Sequence, residues 1–252
     1  MKENKLTLSL DKMGIQYSDY QLEQLERYYE MLIERNEVMN LTSITEYNDV
    51  LIKHFADSLS IMQFTDFSTG KDKELSQGDG LDDNVTDILD IGTGAGFPGI
   101  PLKIFFPEKG ICLVDSTEKK MNFVGDVCDE LGLNNISLLV GRAEELAHQN
   151  EFRGQFQYVV SRAVASLSVL TELSLAFLKK GGHFVAYKSS MINEELDAAQ
   201  NAIRTMGGKV EKVESFTIPE SDFERSLVFI RKGLDTPKQY PRKASAFKKN
   251  PL

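Results

Sequence analysis

Leu22, Leu25, Tyr29, Leu32 and Ile33 recur at helical spacing, and Ser18 stands three residues before Gln21 as in a capping box, so a helix is predicted over 18–39. Asn40-Leu41-Thr42-Ser43 ends it. A second stripe of Leu51, Phe55, Leu59 and Met62 predicts a helix over 48–62, with Lys53, Asp57 and Ser60 on its other faces. The two helices define an N-terminal helical lobe, residues 1–65. The stretch STGKDKELSQGDGLDDN, 68–84, has almost nothing to bury and reads as a polar loop within 66–86. From Asp87 the pattern alternates. Short apolar runs at 88–91, 111–115, 137–140, 158–161 and 184–188 predict strands, and helices are predicted between them at 116–131, 167–178 and 194–206. Such alternation predicts an α/β fold with a mostly parallel sheet joined by right-handed crossovers. Strands at 209–218 and 226–231 are separated by PESDFER alone, so this core, 87–232, ends in an antiparallel hairpin. A pure dinucleotide-binding fold would more often continue with another crossover helix.

The stretch DILDIGTGAGFPGIP, 87–101, runs from a strand into glycines, and Pro98 suits a first helical turn. Glycine permits positive φ and close approach of a ligand, while the N–H groups opening a helix can face that ligand. Two readings of the glycines compete. A dinucleotide fingerprint needs a small residue where Phe97 stands, whereas acid-x-Gly-x-Gly-x-Gly fits Asp90 to Gly96. No Tyr-x-x-x-Lys or histidine at a strand end supports a dehydrogenase.

Ligands of open α/β sheets bind outside the carboxyl ends of the strands, which selects the candidate residues. The first end offers Gly92, Gly94 and Gly96. The second offers Asp115, 23 residues past Gly92, near the spacing of about 20 at which an acid accepts ribose hydroxyls. At the third, Ala143 and Glu144 stand either against an adenine amine or at the start of a surface helix. Arg162 closes the fourth, and Lys188 closes the fifth as either a phosphate contact or a solvated cation.

Composition alters this picture in three places. The longest apolar runs fall far short of the roughly 20 residues that span a bilayer, and MKENKLTLSL is no secretory signal, so a cytoplasmic protein is expected. Cys112, Cys128, His54, His148 and His183 lack metal-ligand spacing, so no metal is expected and the two thiols should be free and buried. The net charge is −9, yet Arg231, Lys232, Lys238, Arg242, Lys243, Lys248 and Lys249 face only Asp235 beyond residue 230. A basic tail, 233–252, on an acidic body suits local phosphate contact or plain solvation.

DILDIGTGAGFPGIPLKI, LVDSTEKKMNF, GRAEEL, VVSRAVASL, FVAYK and PKQYPRK, with NLTSI and KHFADSL upstream, together resemble the bacterial 16S ribosomal RNA 7-methylguanosine methyltransferases, the glucose-inhibited division protein B family. The resemblance covers roughly 18–245. It implies a Rossmann-like S-adenosylmethionine-dependent methyltransferase fold, a mostly parallel seven-strand sheet whose terminal antiparallel hairpin suits that class, with S-adenosylmethionine as cofactor and a guanine N7 of small-subunit 16S rRNA as target. By position it assigns Gly92, Phe97, Ala143, Glu144 and Arg162 to the cofactor, beside Gly94, Gly96 and Asp115 from the strand ends. Lys188, Lys238, Arg242 and Lys243 are the candidates for RNA phosphates. The chain departs from the family in the longer loop 68–84 and the ending KASAFKKNPL. Guanine N7 carries a lone pair and no proton, so no catalytic acid or base is expected. The alternative from another class is a non-catalytic RNA- or S-adenosylmethionine-binding module on the same fold.

Overall fold

The computed structural model describes residues 4–65, 86–162, 165–190 and 192–252 of the chain, so the expected loop 68–84 lies outside the described residues. Seven strands are β1 (Thr86–Ile91), β2 (Gly110–Asp115), β3 (Ile136–Val140), β4 (Phe156–Ser161), β5 (Leu178–Lys188), β6 (Gly208–Thr217) and β7 (Glu224–Lys232). They form one sheet in the order β3-β2-β1-β4-β5-β7-β6. Strands β1 to β5 pair in parallel, and β7 lies antiparallel between β5 and β6. Both faces are apolar, which the β-branched, unbroken runs required: Ile88, Ile111, Leu113 and Val160 enter one core, while Leu89, Cys112, Val114 and Val159 enter the other.

The first core is covered by α1 (Lys5–Lys12), α2 (Asp19–Met39), the segment 47–63, α5 (Gly99–Phe105) and α6 (Glu118–Glu130). The second lies under α7 (Ala143–Leu146), α8 (Leu167–Ser174) and α9 (Asn193–Thr205). A last helix, α10 (Ala244–Lys249), closes the tail. The predicted strands form, with the capping box of Ser18 and Gln21 as read, but the helix predicted over 167–178 stops at Ser174 and Leu178 already opens β5. Helix α1, absent from the sequence reading, starts from an Asn4–Thr7 capping box and buries Leu6 and Leu10.

The predicted helix 48–62 is broken into α3 (Tyr47–Val50), a π-helical turn (Leu51–Ala56), α4 (Asp57–Leu59) and a 3-10 turn (Ser60–Gln63). A side chain inserted into the ladder explains the break. Arg162 Nη1 donates to the carbonyls of Lys53 (3.1 Å) and His54 (3.3 Å), and Ser58 Oγ donates to His54 O at 2.6 Å. Asp57 and Ser60, expected on outer faces, are buried. Asp57 is 1% exposed and accepts from Arg162 Nη1 (2.9 Å) at Oδ2 and from Arg225 Nε (2.7 Å) at Oδ1. Tyr187 of β5 adds a hydrogen bond from its hydroxyl to Ser58 O at 2.8 Å. The N-terminal helices therefore share one core and one ion cluster with the sheet.

The tail is docked as well. Arg153 donates to Thr236 O, Pro237 O and Tyr240 O, and the exposed chain end turns back to bury Phe247. Asp57→Ala would leave two arginines facing a gap, a change that costs about 3–5 kcal/mol in buried pairs. Urea unfolding of the variant is expected to show a loss of that size; a loss under about 1 kcal/mol would mean that the lobe is held by its apolar contacts alone.

Candidate functional site at the carboxyl ends of the strands

The chain leaves β1 outward to β2 and β3, then returns to β4 on the other side of β1, so the switch point lies where β1 and β4 end. The glycine turn occupies this place. Gly92 and Thr93 donate to Val114 O at 2.8 and 3.1 Å, and Gly94 N–H donates to Asp115 Oδ2 at 3.0 Å. Asp115 Oδ1 accepts from Thr117 N–H at 2.9 Å, which leaves each oxygen with a further lone pair for a ligand.

The glycines have different tasks. Gly94 has φ +61°, and a Cβ there would meet only Gly92 O at 4.0 Å among the described residues, so this position faces open space. A Cβ on Gly96 would stand 2.6 Å from Ile100 and 2.7 Å from the Tyr28 hydroxyl. Gly96 is thus a packing glycine beneath the turn. The close helix–strand contact falls at Gly99, whose Cβ would lie 2.1 Å from Leu113 of β2.

Helix α5 corrects the expectation of free N–H groups facing a ligand. Pro98 precedes the helix as its cap, after a cis Phe97–Pro98 bond, and does not occupy the first turn. The first donors are already used: Gly99 N–H by Asp90 Oδ2 at 2.9 Å, and Ile100 N–H by Gly96 O at 2.7 Å. Asp90 is fully buried, and burial pushes its carboxyl up to about 7 against the opposing pull of Thr93, Gly99 N–H and Arg162. An internal acid therefore sits where a dinucleotide fold holds its pyrophosphate.

Beside the turn, Phe97 is buried and stacks on His54, with ring centroids 4.5 Å apart and planes at 13°. Arg162 places its Cζ 5.0 Å from the centre of the Phe97 ring. His54 bonds through both nitrogens, to Arg162 Nη2 at 3.2 Å and Thr42 Oγ1 at 2.8 Å. Its pKa is pushed down to about 3, first by burial and then by the Arg162 charge.

At the third strand end, Gly141 N–H donates to Asp115 O at 3.1 Å, and Ala143 opens the short helix α7 with Glu144 half-buried behind it. A cleft of about 650 Å³ lies between α7 and the tail, with Arg142, Glu144, Glu145, His148 and Lys243 on its walls. Gly92, Gly94, Asp115, Ala143, Glu144 and Arg162 thus all stand at the carboxyl edge of the sheet, and Phe97 lies against Arg162.

The four expected phosphate cations divide. Lys238 and Lys243 are exposed and carry no ion pair among the described residues. Lys188 and Arg242 are corrected: the fold uses their charges internally. Lys188 Nζ is buried 2.7 Å from both Ala165 O and Glu195 Oε2. Arg242 makes a two-point contact with the buried Glu172, at 2.8 Å through Nε and 2.7 Å through Nη2. Glu172 would otherwise be stranded, so releasing Arg242 to RNA would leave a buried charge unpaired, while Lys188 is itself buried and would give up both of its partners.

Several partners escaped the sequence reading: His54, Asp57 and Arg225 around Arg162, and Arg153 and Glu172 under the tail. The available signal was polarity inside an apolar run, since His54 and Asp57 interrupt the stripe of Leu51, Phe55 and Leu59. Cys112 and Cys128 are free and buried as expected, with burial pushing both thiols up to about 12. No group of three or more His, Cys, Asp or Glu side chains is placed to hold a metal among the described residues.

The family model described as rRNA small subunit methyltransferase G matches residues 21–228. The chain belongs to this family. The Ribosomal RNA small subunit methyltransferase G of Lachnoclostridium phytofermentans is 46% identical over 100% of this chain and 98% of its own length. That of Lactococcus lactis subsp. lactis is 44% identical over the full length of both chains. The solved structure of M. jannaschii TYW2 in complex with AdoMet superposes with a TM-score of 0.47 at 15% identity, covering 68% of this chain and 78% of that one. In this member of the methyltransferase G family, the matched segment takes in the whole strand-end constellation from Gly92 to Lys188 and also the lobe residues Thr42, His54 and Asp57.

Because its pKa lies below the unfolded value of 6.5, neutral His54 stabilises the fold fully above about pH 6.5, and that contribution is lost as pH falls toward 3. The full shift corresponds to about 5 kcal/mol. Urea unfolding free energies of the wild type and His54→Gln between pH 7 and 4 are expected to converge as the pH drops. Parallel pH curves would show that the imidazole does not titrate in this window.

Proposed function

We infer that this chain transfers the methyl group of S-adenosylmethionine to N7 of a guanine in the 16S rRNA of the small ribosomal subunit, acting in the cytoplasm. Family membership across 21–228 supports the reaction class. The observation that carries the choice of ligand is the start of α5, where Asp90 occupies the anion position and Gly94 faces open space. With its first N–H groups already taken, such a turn offers a pyrophosphate no cradle and leaves room at Gly94 for a sulfonium-bearing nucleoside. No helix among the described residues is long and apolar enough to cross a membrane.

The residues at hand suit the parts of this donor. Gly92 and Gly94 let it lie against the turn, and Asp115 offers lone pairs to ribose hydroxyls. Ala143 and Glu144 suit the adenine edge, with Glu144 accepting from the exocyclic amine. Arg162, held over Phe97, suits the donor's carboxylate, because a guanidinium pairs with carboxylates in a fixed geometry. Bound S-adenosylmethionine supplies an electrophilic methyl on a sulfonium.

Guanine N7 needs no deprotonation, so the chain has only to align the base and keep water out. Proximity and orientation of this kind account for about 7–11 kcal/mol in well-aligned reactions. The histidine nearest the turn fits that division of labour, since both its nitrogens are engaged with Thr42 and Arg162. Arg162 does not deprotonate and so positions. Lys238 and Lys243, exposed on the docked tail, are suited to phosphates flanking the target.

Purified protein incubated with methyl-labelled S-adenosylmethionine and undermethylated small subunits is expected to label one guanine of 16S rRNA at N7. Gly94→Asp, which sets a carboxylate into the open side of the turn beside Asp115, is expected to abolish donor binding in calorimetry and labelling together. Absence of label in free rRNA, assembly intermediates and finished subunits alike would reject the reaction.

Replacing Lys238 and Lys243 with Ala is expected to flatten the dependence of log affinity for rRNA on log salt by about one per lysine while sparing donor affinity. An unchanged slope would remove the tail from the RNA path.

A further inference from the structure

His54 belongs to none of the strand ends, yet both of its ring nitrogens have side-chain partners. A guanidinium has only donors, so at 3.2 Å from Arg162 Nη2 the ring nitrogen Nδ1 must accept. The neutral imidazole then carries its proton on Nε2, which donates to Thr42 Oγ1 at 2.8 Å. Thr42 Oγ1 also accepts from Ile44 N–H at 3.0 Å, so both of its lone pairs are used and the hydroxyl proton points elsewhere. The histidine is thereby anchored on the turn that ends α2. Its face is engaged as well, stacked 4.5 Å from Phe97, whose ring lies 5.0 Å from Arg162 Cζ. The same ring thus contacts Arg162 through its edge and Phe97 through its face, the two residues that the proposed function places at the donor. Burial and the neighbouring arginine keep the ring neutral, in agreement with this bonding.

We propose that His54 is a positioning residue of the donor site: as the Nε2–H tautomer anchored on Thr42, it orients the Arg162 guanidinium and the Phe97 ring toward S-adenosylmethionine. The proposal rests on the functional reading above, in which Arg162 and Phe97 serve the donor. It makes the N-terminal lobe a part of the donor site, since Thr42 and His54 both come from it. Arg162 is gripped from two directions, by Asp57 Oδ2 at 2.9 Å on Nη1 and by His54 on Nη2. With both Nη atoms fixed, the plane of the guanidinium is fixed.

The test compares full-length wild type, His54→Ala, His54→Gln and His54→Asn. The Asn amide oxygen replaces Nδ1 as acceptor for Arg162, whereas the Gln amide reaches Thr42 and leaves Arg162 without an acceptor. Calorimetry with S-adenosylmethionine is expected to show affinity weakened about tenfold in the Ala and Gln variants and largely restored in Asn. Methyl transfer to undermethylated subunits should show the same order in the KM for the donor, with kcat less affected. Wild-type affinity in Gln, or losses in all three that track their melting temperatures, would overturn the proposal.

The tautomer is read independently in the wild type, from the ring nitrogen shifts of ¹⁵N-histidine-labelled protein. A bare Nδ1 with a protonated Nε2 is expected for His54. The opposite tautomer would overturn the proposal even if the Ala variant failed to fold. A wild-type chain showing the expected tautomer but no binding of S-adenosylmethionine would instead overturn the functional reading and the role built on it.

Discussion

A carboxylate taken out of water costs several kcal/mol unless opposite charge and hydrogen bonds replace its hydration. Asp57 is 1% exposed, and its two oxygens are divided between Arg162 from the end of β4 and Arg225 from β7. Each arginine is itself nearly buried, so neither can leave without stranding the others. The three residues come from three distant parts of the sequence and can meet only when the N-terminal helices lie against the assembled sheet. The cluster therefore fixes the docking of the lobe, and the docking in turn fixes Arg162. Through Arg162 it also reaches His54, the π-helical turn and Phe97. What resembles a separate helical lobe in the sequence is thus packed and ion-paired against the sheet beside the glycine turn.

The glycine turn obeys a second constraint of the same kind. Asp90 is buried to satisfy the first N–H of α5, and the cost of that burial appears in a carboxyl raised to about 7. The internal acid keeps the helix start from serving an external anion. Gly99 allows the helix to press against β2, Gly96 allows the Tyr28 hydroxyl beneath the turn, and Gly94 faces open space among the described residues. One glycine-rich motif thereby combines two packing contacts with an open position at Gly94, and one carboxylate takes the N–H that opens the helix.

The strands and the hairpin were legible because their signal is local: a short apolar run reports its own burial, and PESDFER is too short for a crossover. The strand-end residues were legible for a related reason, since topology alone assigns them to one edge. What escaped was everything set by pairing across the chain. Asp57 on a helical stripe reads as a solvent face, and nothing near it in sequence announces two arginines more than 100 residues away. Arg242 reads as an exposed cation because Glu172, which neutralises it, is 70 residues away in an apolar helix, and Lys188 does so because its pairing with Glu195 depends on how the chain turns between β5 and α9. Charge counted along the chain cannot separate a cation that pairs inside the fold from one that remains available.

That separation gives the basic tail its physical meaning. Were all its cations free, the segment would behave as a flexible polycation, gaining attraction to any nucleic acid and losing position. Instead the Arg242 guanidinium is used against Glu172, Lys232 Nζ is buried against Met206 O and Thr236, and Arg153 of the core holds three tail carbonyls. These contacts lower the entropy of the segment in advance, so ordering it need not be charged against binding. Lys238 and Lys243 then project from a fixed backbone, and Lys243 shares a cleft with Arg142 and Glu144 at the edge of the sheet. Under the proposed function, two cations on a backbone held in place would define a direction of approach for a phosphate chain. On a chain of net charge −9, a larger number of mobile cations would not define one.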